Sequence, residues 1–305
     1  MEQDLMNEFV QQGHDPTKMY QRKPVKFELS MISACLDSPT GRTYITACEM
    51  FDEAKSRLCQ YTKVEVETDS DCDFLQSAFH GYAKAYMVDQ IWYENFKPPS
   101  NAFDLIDQYM QHRPDDILSE YCKNIFFCRS HQSGNGSEFS KFKGLQIAIR
   151  TYEIFAMKVE KADTTSDIRR QILATLFNCL GSFYTITQQR IRAIDSFEKA
   201  YNINNEDLDS LFGVAWWHCS EDPEKAIKLF NQYLDAAPEC DKKYYDAFYC
   251  LSYIYLSVHK DITKGKEYYC KGLDAEKKQL PCFPPYDTAY KLFAKLKMVY
   301  LGIHV

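Results

Sequence analysis

From Thr43 onward, apolar side chains return at three- and four-residue steps, the period of helices with one buried face. In Tyr44 to Leu58, Cys48, Phe51, Ala54 and Leu58 share a face. Stretches of the same kind occupy 74–96, 101–111, 115–128, 142–159, 168–186, 190–202, 207–219, 223–235, 242–258, 263–273 and 286–301. No strand-like alternation of useful length interrupts them. Residues 1 to about 28 are polar, include Pro16 and Pro24 and keep no helical period, which predicts a flexible amino-terminal tail. Turn chemistry separates the periodic stretches: Pro98-Pro99-Ser100-Asn101, Arg113-Pro114-Asp115, Asp222-Pro223, Pro238 and Pro281 to Pro285. Asp222 before Pro223 also fits a helix start, with a carboxylate to accept from free amides and a proline where no donor is needed. The Ser- and Gly-rich tract Arg129 to Lys141 predicts a mobile loop within a repeat.

Every second helix carries a recurring triplet: a small residue, a large one a turn later, then a small or medium one. It reads Ala47/Phe51/Ala54, Ala102/Ile106/Tyr109, Ala148/Tyr152/Phe155, Ala193/Phe197/Ala200, Ala226/Phe230/Tyr233 and Gly265/Tyr269/Gly272. Where antiparallel helices cross, a residue without bulk lets the backbones approach, and the large neighbour fills the adjoining gap.

Residues 174–205 resemble a tetratricopeptide repeat. Phe177 stands where that family prefers Trp; Leu180, Gly181, Tyr184, Ala193, Phe197 and Ala200 match, and Asn205 replaces the usual closing proline. The next unit is similar through Leu211, Val214, Ala215, Ala226, Phe230, Tyr233 and Pro238, with a turn one residue shorter than the family's. A third retains Leu251, Ser252, Tyr255, Gly265, Tyr269 and Gly272, with an extra turn residue. The resemblance implies an all-α superhelix of stacked helical hairpins, with repeats over 168–285 and a capping helix over 286–305 that shields the last apolar surface. Toward the amino terminus the triplets are spaced by 55, 46 and 45 residues instead of about 34. Residues 43–160 are therefore expected to form irregular hairpins, either in the same superhelix or as a separate helical bundle.

Composition narrows the function. The net charge of -7 is spread along the chain apart from one acidic tract, Glu65, Glu67, Asp69, Asp71 and Asp73, read as a solvated loop. Nucleic acid is disfavoured as a partner, because phosphate binding needs clustered Lys and Arg. The twelve cysteines include Cys48, Cys59, Cys179, Cys250 and Cys270 inside helical patterns, expected as buried thiols; no Cys-x-x-Cys or zinc-ligand spacing occurs. Met1 to Val10 holds three acids and no base, and no apolar run approaches the roughly 20 residues of a membrane span. The expected compartment is the cytoplasm, with the nucleus as the alternative, where the Asn135-Gly136-Ser137 sequon has no role. Gly134-Asn135-Gly136 begins a dinucleotide fingerprint, but Phe139 stands at the third glycine, and no metalloprotease, hydrolase or calcium-loop motif occurs. His218 beside Cys219 reads as a half-buried structural histidine. No enzyme activity and no cofactor are expected.

In the tetratricopeptide family the first helices of successive repeats line a concave groove. The resemblance places Asn178 and Ser182, then Asp209, Phe212 and Trp216, then Asp246, Tyr249 and Tyr253 on that wall. Rings on a rigid concave wall suit a protein or peptide segment, and the acids favour one with basic as well as apolar residues. The same rings would equally serve packing against a neighbouring helix. Positions where co-chaperone members of the family clamp a carboxylate hold Asn178, Ser182, Gly213, Asp246 and Cys250, which supply no cation. The expected function is a protein-binding scaffold or adaptor; alternatives are an RNA-binding helical-repeat protein and a helical regulatory subunit of an enzyme complex.

Overall fold

The computed structural model describes residues 39–88, 98–132, 138–161, 166–239, 241, 243–279 and 289–303. The tail at 1–28, the Asn135 sequon and the Pro281 to Pro285 break lie outside the described residues. Those described hold helices and no strand: α1 (Pro39–Gln60), α2 (Asp69–Val88), α3 (Ala102–His112), α4 (Ile117–Gln132), α5 (Glu138–Lys161), α6 (Asp167–Ile186), α7 (Arg190–Ile203), α8 (Leu208–His218), α9 (Pro223–Ala236), α10 (Tyr244–Ile254, continued by a π-helical turn, Tyr255–His259), α11 (Ile262–Lys277) and α12 (Ala289–Tyr300). The helical period of the sequence thus marks every one of them.

Neighbouring helices pair as α1 with α2, α4 with α5, α6 with α7, α8 with α9 and α10 with α11, and successive hairpins lie against one another. Every member of the six triplets is buried. Close approach is the reason. A Cβ added at Gly181 of α6 or at Gly213 of α8 would meet the Phe197 ring of α7 at 2.7 and 2.8 Å. The ring is therefore held between two backbones that only glycine brings so near. The same device recurs where Gly272 of α11 faces the Tyr249 ring, at 2.7 Å from a built Cβ.

The amino-terminal hairpins continue this stack. The Tyr86 hydroxyl of α2 lies 3.5 Å from Cys179 Sγ of α6, and the Tyr152 and Phe183 rings of α5 and α6 are 5.7 Å apart. One continuous apolar core runs from Phe51 to Ala200 and takes in Val214, and a second runs from Leu211 to Met298.

Acids close the turns. Asp207, Asp222 and Asp261 accept backbone N–H groups at the starts of α8, α9 and α11. Two more tie one repeat to the next: Tyr109 of α3 donates to Asp116 at 2.6 Å, and Tyr233 of α9 donates to Asp241. His80, Gln76 and Ser119 also converge on Asp116. Burial raises the Asp116 carboxyl, but these donors outweigh it and hold its pKa well below the ordinary value. The extra turn residue of the third repeat is absorbed by the π-helical turn Tyr255–His259, which ends on Lys260 at φ 59°.

Three sequence expectations are corrected. Asp69, Asp71 and Asp73 of the acidic tract belong to α2, not to a loop; Asp71 is buried at its start, where it accepts from Thr68 and Lys63. Those bonds pull its pKa down to about 2. Cys59 and Cys270 are exposed, because they lie on the outer faces of α1 and α11. Finally, α4 continues to Gln132 and α5 begins at Glu138, so helix extends well into the tract read as a loop.

Candidate binding groove

The residues expected to line a groove lie on α6, α8 and α10, the first helices of the three clearest repeats. Steps of three and four residues put Asp209, Phe212 and Trp216 on one face of α8, and Asp246, Tyr249 and Tyr253 on one face of α10. Asn178, Phe212, Asp246, Tyr249 and Tyr253 are buried; Ser182, Asp209 and Trp216 are half-buried.

At the α6 end Asn178 is a joint between repeats. Its amide donates to Asp207 Oδ2 at 3.0 Å and to Ser210 Oγ at 2.7 Å, so it binds the cap of α8. Burial, with Asp209 nearby, raises the Asp207 pKa against the pull of these bonds. Ser182 lies one turn along α6. Trp217, the neighbour of Trp216, donates to Thr185 Oγ1 of α6 at 3.0 Å.

Phe212 meets the Phe230 and Tyr233 rings of α9 edge-on. Above it stands Lys243, a residue the sequence reading missed, with Nζ 5.1 Å from the ring centroid and 3.0 Å from Asp209 Oδ1. The pair joins an acid and a ring of the wall to one cation.

The remaining wall residues are brought together beneath α12. Tyr290 of that helix packs edge-on against Trp216, 5.5 Å between centroids, and leans on Tyr253 at 5.0 Å. Its hydroxyl donates to the Trp216 carbonyl at 3.4 Å, so α12 reaches back past α10 to the preceding repeat. Phe293 adds a second ring, 5.9 Å from Tyr253. Lys291 places its ammonium 5.6 Å from the centre of the Tyr249 ring and 2.7 Å from Glu276 Oε1 of α11, both partners of the ion pair being mostly buried. In the preceding rungs α6, α8 and α10 each lie chiefly on the second helix before them, whereas α12 lies chiefly on the first helix α10. It covers the last repeat and also the Trp216 and Tyr253 rings. Tyr290, Lys291 and Phe293 thus pack on residues expected to line a groove, whereas sequence reasoning assigned them only to a cap, although their aromatic-basic spacing was visible.

Among the described residues no group of three His, Cys, Asp or Glu side chains stands placed to hold a metal ion, and no helix is long and apolar enough to cross a membrane. His218 is half-buried, 3.8 Å from Glu198, with its pKa lowered by burial and by Lys225.

No family model matches the chain, and no curated protein matches it. Solved structures do. A crystal structure of MamA matches at 17% identity, over 58% of this chain and 82% of that one, with a TM-score of 0.41. YrrB, described as a TPR protein with an unusual peptide-binding site, matches at 15% identity, over 72% and 91%, with a TM-score of 0.42. Similarity at this level transfers no site and no ligand. The class rests on the chain's own geometry: an all-α superhelix of stacked hairpins of the tetratricopeptide type.

Proposed function

We propose that this chain is a protein-binding scaffold whose concave wall, formed by α6, α8 and α10, receives a segment of another protein. One observation carries the reading: Trp216 and Tyr253 already take a helix, α12, through ring packing around Tyr290. A surface that seats one helix by burying an aromatic anchor has the chemistry of a helix-in-groove site. Asp209 is paired with Lys243 and Asp246 is buried, so the rings rather than the acids carry the recognition. RNA is the weaker reading, because Lys243 and Lys291 on this face are each matched by an acid, Asp209 and Glu276. A regulatory subunit of an enzyme complex would be recognised by stoichiometric copurification with a catalytic chain.

The test is a cross-linking and pull-down survey with wild type and with the Trp216→Ala, Tyr253→Ala double variant, both first checked for native melting. Partners lost from the variant are the expected result. An unchanged set removes the groove from consideration.

A further inference from the structure

We infer that the floor laid by Trp216, Tyr249 and Tyr253 is a site for an amphipathic helix of α12's own pattern, and that α12 occupies it in cis until such a helix from another protein replaces it. The inference rests on the groove reading and specifies the ligand. The pattern is an aromatic residue, lysine next to it, then Phe, Ala and Met three, four and eight places on, as in Tyr290, Lys291, Phe293, Ala294 and Met298. Three elements have named receptors: the aromatic ring sits on Trp216 and Tyr253, the lysine on Tyr249 and Glu276, and the second ring on Tyr253; Ala294 and Met298 are buried.

The cis helix is built to be separable. It is a single short helix beyond the last hairpin, and isolated helices of that length are marginal in water. Its inward residues are Ala289, Tyr290, Ala294 and Met298, while Val299 and Tyr300 at its end are 67% and 83% exposed. Competition follows from population arithmetic: if α12 is seated about 99% of the time, an incoming helix binds about 100-fold more weakly than to the bare wall.

A charge swap reads this out in the full-length chain. The probe is a fluorescent synthetic peptide of residues 286–303, in native form and with Lys291→Glu, titrated by anisotropy. Glu276→Lys sets two lysines against each other in cis and favours release of α12. The expected result is that the Lys291→Glu peptide binds the Glu276→Lys chain at least tenfold more tightly than it binds wild type, while the native peptide shows no such gain. Should Glu276→Lys fail to fold, Tyr290→Ala, which empties the seat between Trp216 and Tyr253, is expected to bind the native peptide more tightly than wild type does. Folded variants that bind neither peptide overturn the inference, and so does a variant that dimerises and excludes the peptide, since the occupant is then a second copy. If the peptides fail but the Trp216→Ala, Tyr253→Ala chain still loses its partners, only the ligand assignment falls and the groove stands.

Discussion

The two ends of the stack solve one packing problem in different ways. From α1 to α5 the crossings are filled ring against ring: Phe51 meets Tyr82 at 4.8 Å, Tyr82 meets Phe126 at 4.9 Å and Tyr121 stacks on Phe155 at 6.0 Å. From α6 to α11 glycine meets a single large side chain: the Phe197 ring at Gly181 and Gly213, the Tyr249 ring at Gly272, and Leu256 at Gly265. Helix length differs as well. In the first region α1, α2 and α5 have 22, 20 and 24 residues beside an α3 of 11, whereas α6, α8 and α9 have 20, 11 and 14. Uneven helix lengths stretch the repeat while interlocked rings preserve the side-by-side arrangement, so the family's spacing fades toward the amino terminus although the triplets stay buried.

The largest effect is expected at the glycine-based crossing of α6 and α7. Ala193→Arg buries a charge and bulk in the α6–α7 contact, where Ala193 is fully buried, and should destabilise by more than about 3 kcal/mol in denaturant unfolding. A melting point equal to wild type would mean that the pairing of α6 and α7 is wrong.

A matched pair of glycine substitutions sharpens the comparison. Gly213→Ala drives a Cβ to 2.8 Å from the Phe197 ring, itself held by Gly181, and should cost about 2 kcal/mol. Gly81→Ala in the first region meets only the Ala54 Cβ at 3.0 Å, and the gain in helix propensity, about 1 kcal/mol, offsets the crowding. Its net change should fall within about 0.5 kcal/mol. Equal losses would show that the two regions pack alike.

Tyr109→Phe removes the hydroxyl given to Asp116 at 2.6 Å and should cost about 1 kcal/mol by the same measurement. Acidification gives the smallest and most selective effect, because the joints titrate in opposite senses. Asp116 has its pKa lowered by folding, so its contribution is full above the ordinary carboxylate pKa and is lost as pH falls toward the folded value. Asp207 has its pKa raised, so its contribution is present below the ordinary value and lost as pH rises through the folded one. Between pH 5 and pH 3 the stability gap between wild type and Asp116→Asn should narrow, while Asp207→Asn should show no such narrowing.

The helices and their crossings were legible because both depend on local spacing. All six triplets are buried, and the extra residue of the third repeat surfaced as the π-helical turn at Tyr255–His259. What spacing does not encode is which surface a helix finally meets. Tyr290 and Phe293 could be placed on one face of a helix, but their seat on Trp216 and Tyr253 depends on how α12 crosses α10. The same limit hid the ion pair of Lys243 with Asp209 and the outward turn of Cys59 and Cys270. It also hid Asp116 and Asp241, whose tyrosine partners are separated from them by the end of a helix and a turn.

Site-specific photo-cross-linking addresses the groove itself most directly. A photoreactive phenylalanine analogue is placed at Ser182, half-buried on first helix α6, or at Ile191, 83% exposed on second helix α7, and irradiated in extract. A scaffold that works through its concave wall yields a partner adduct from Ser182 and none from Ile191. An adduct from Ile191 alone, or no adduct from Ser182, would contradict the assignment of partner binding to this wall.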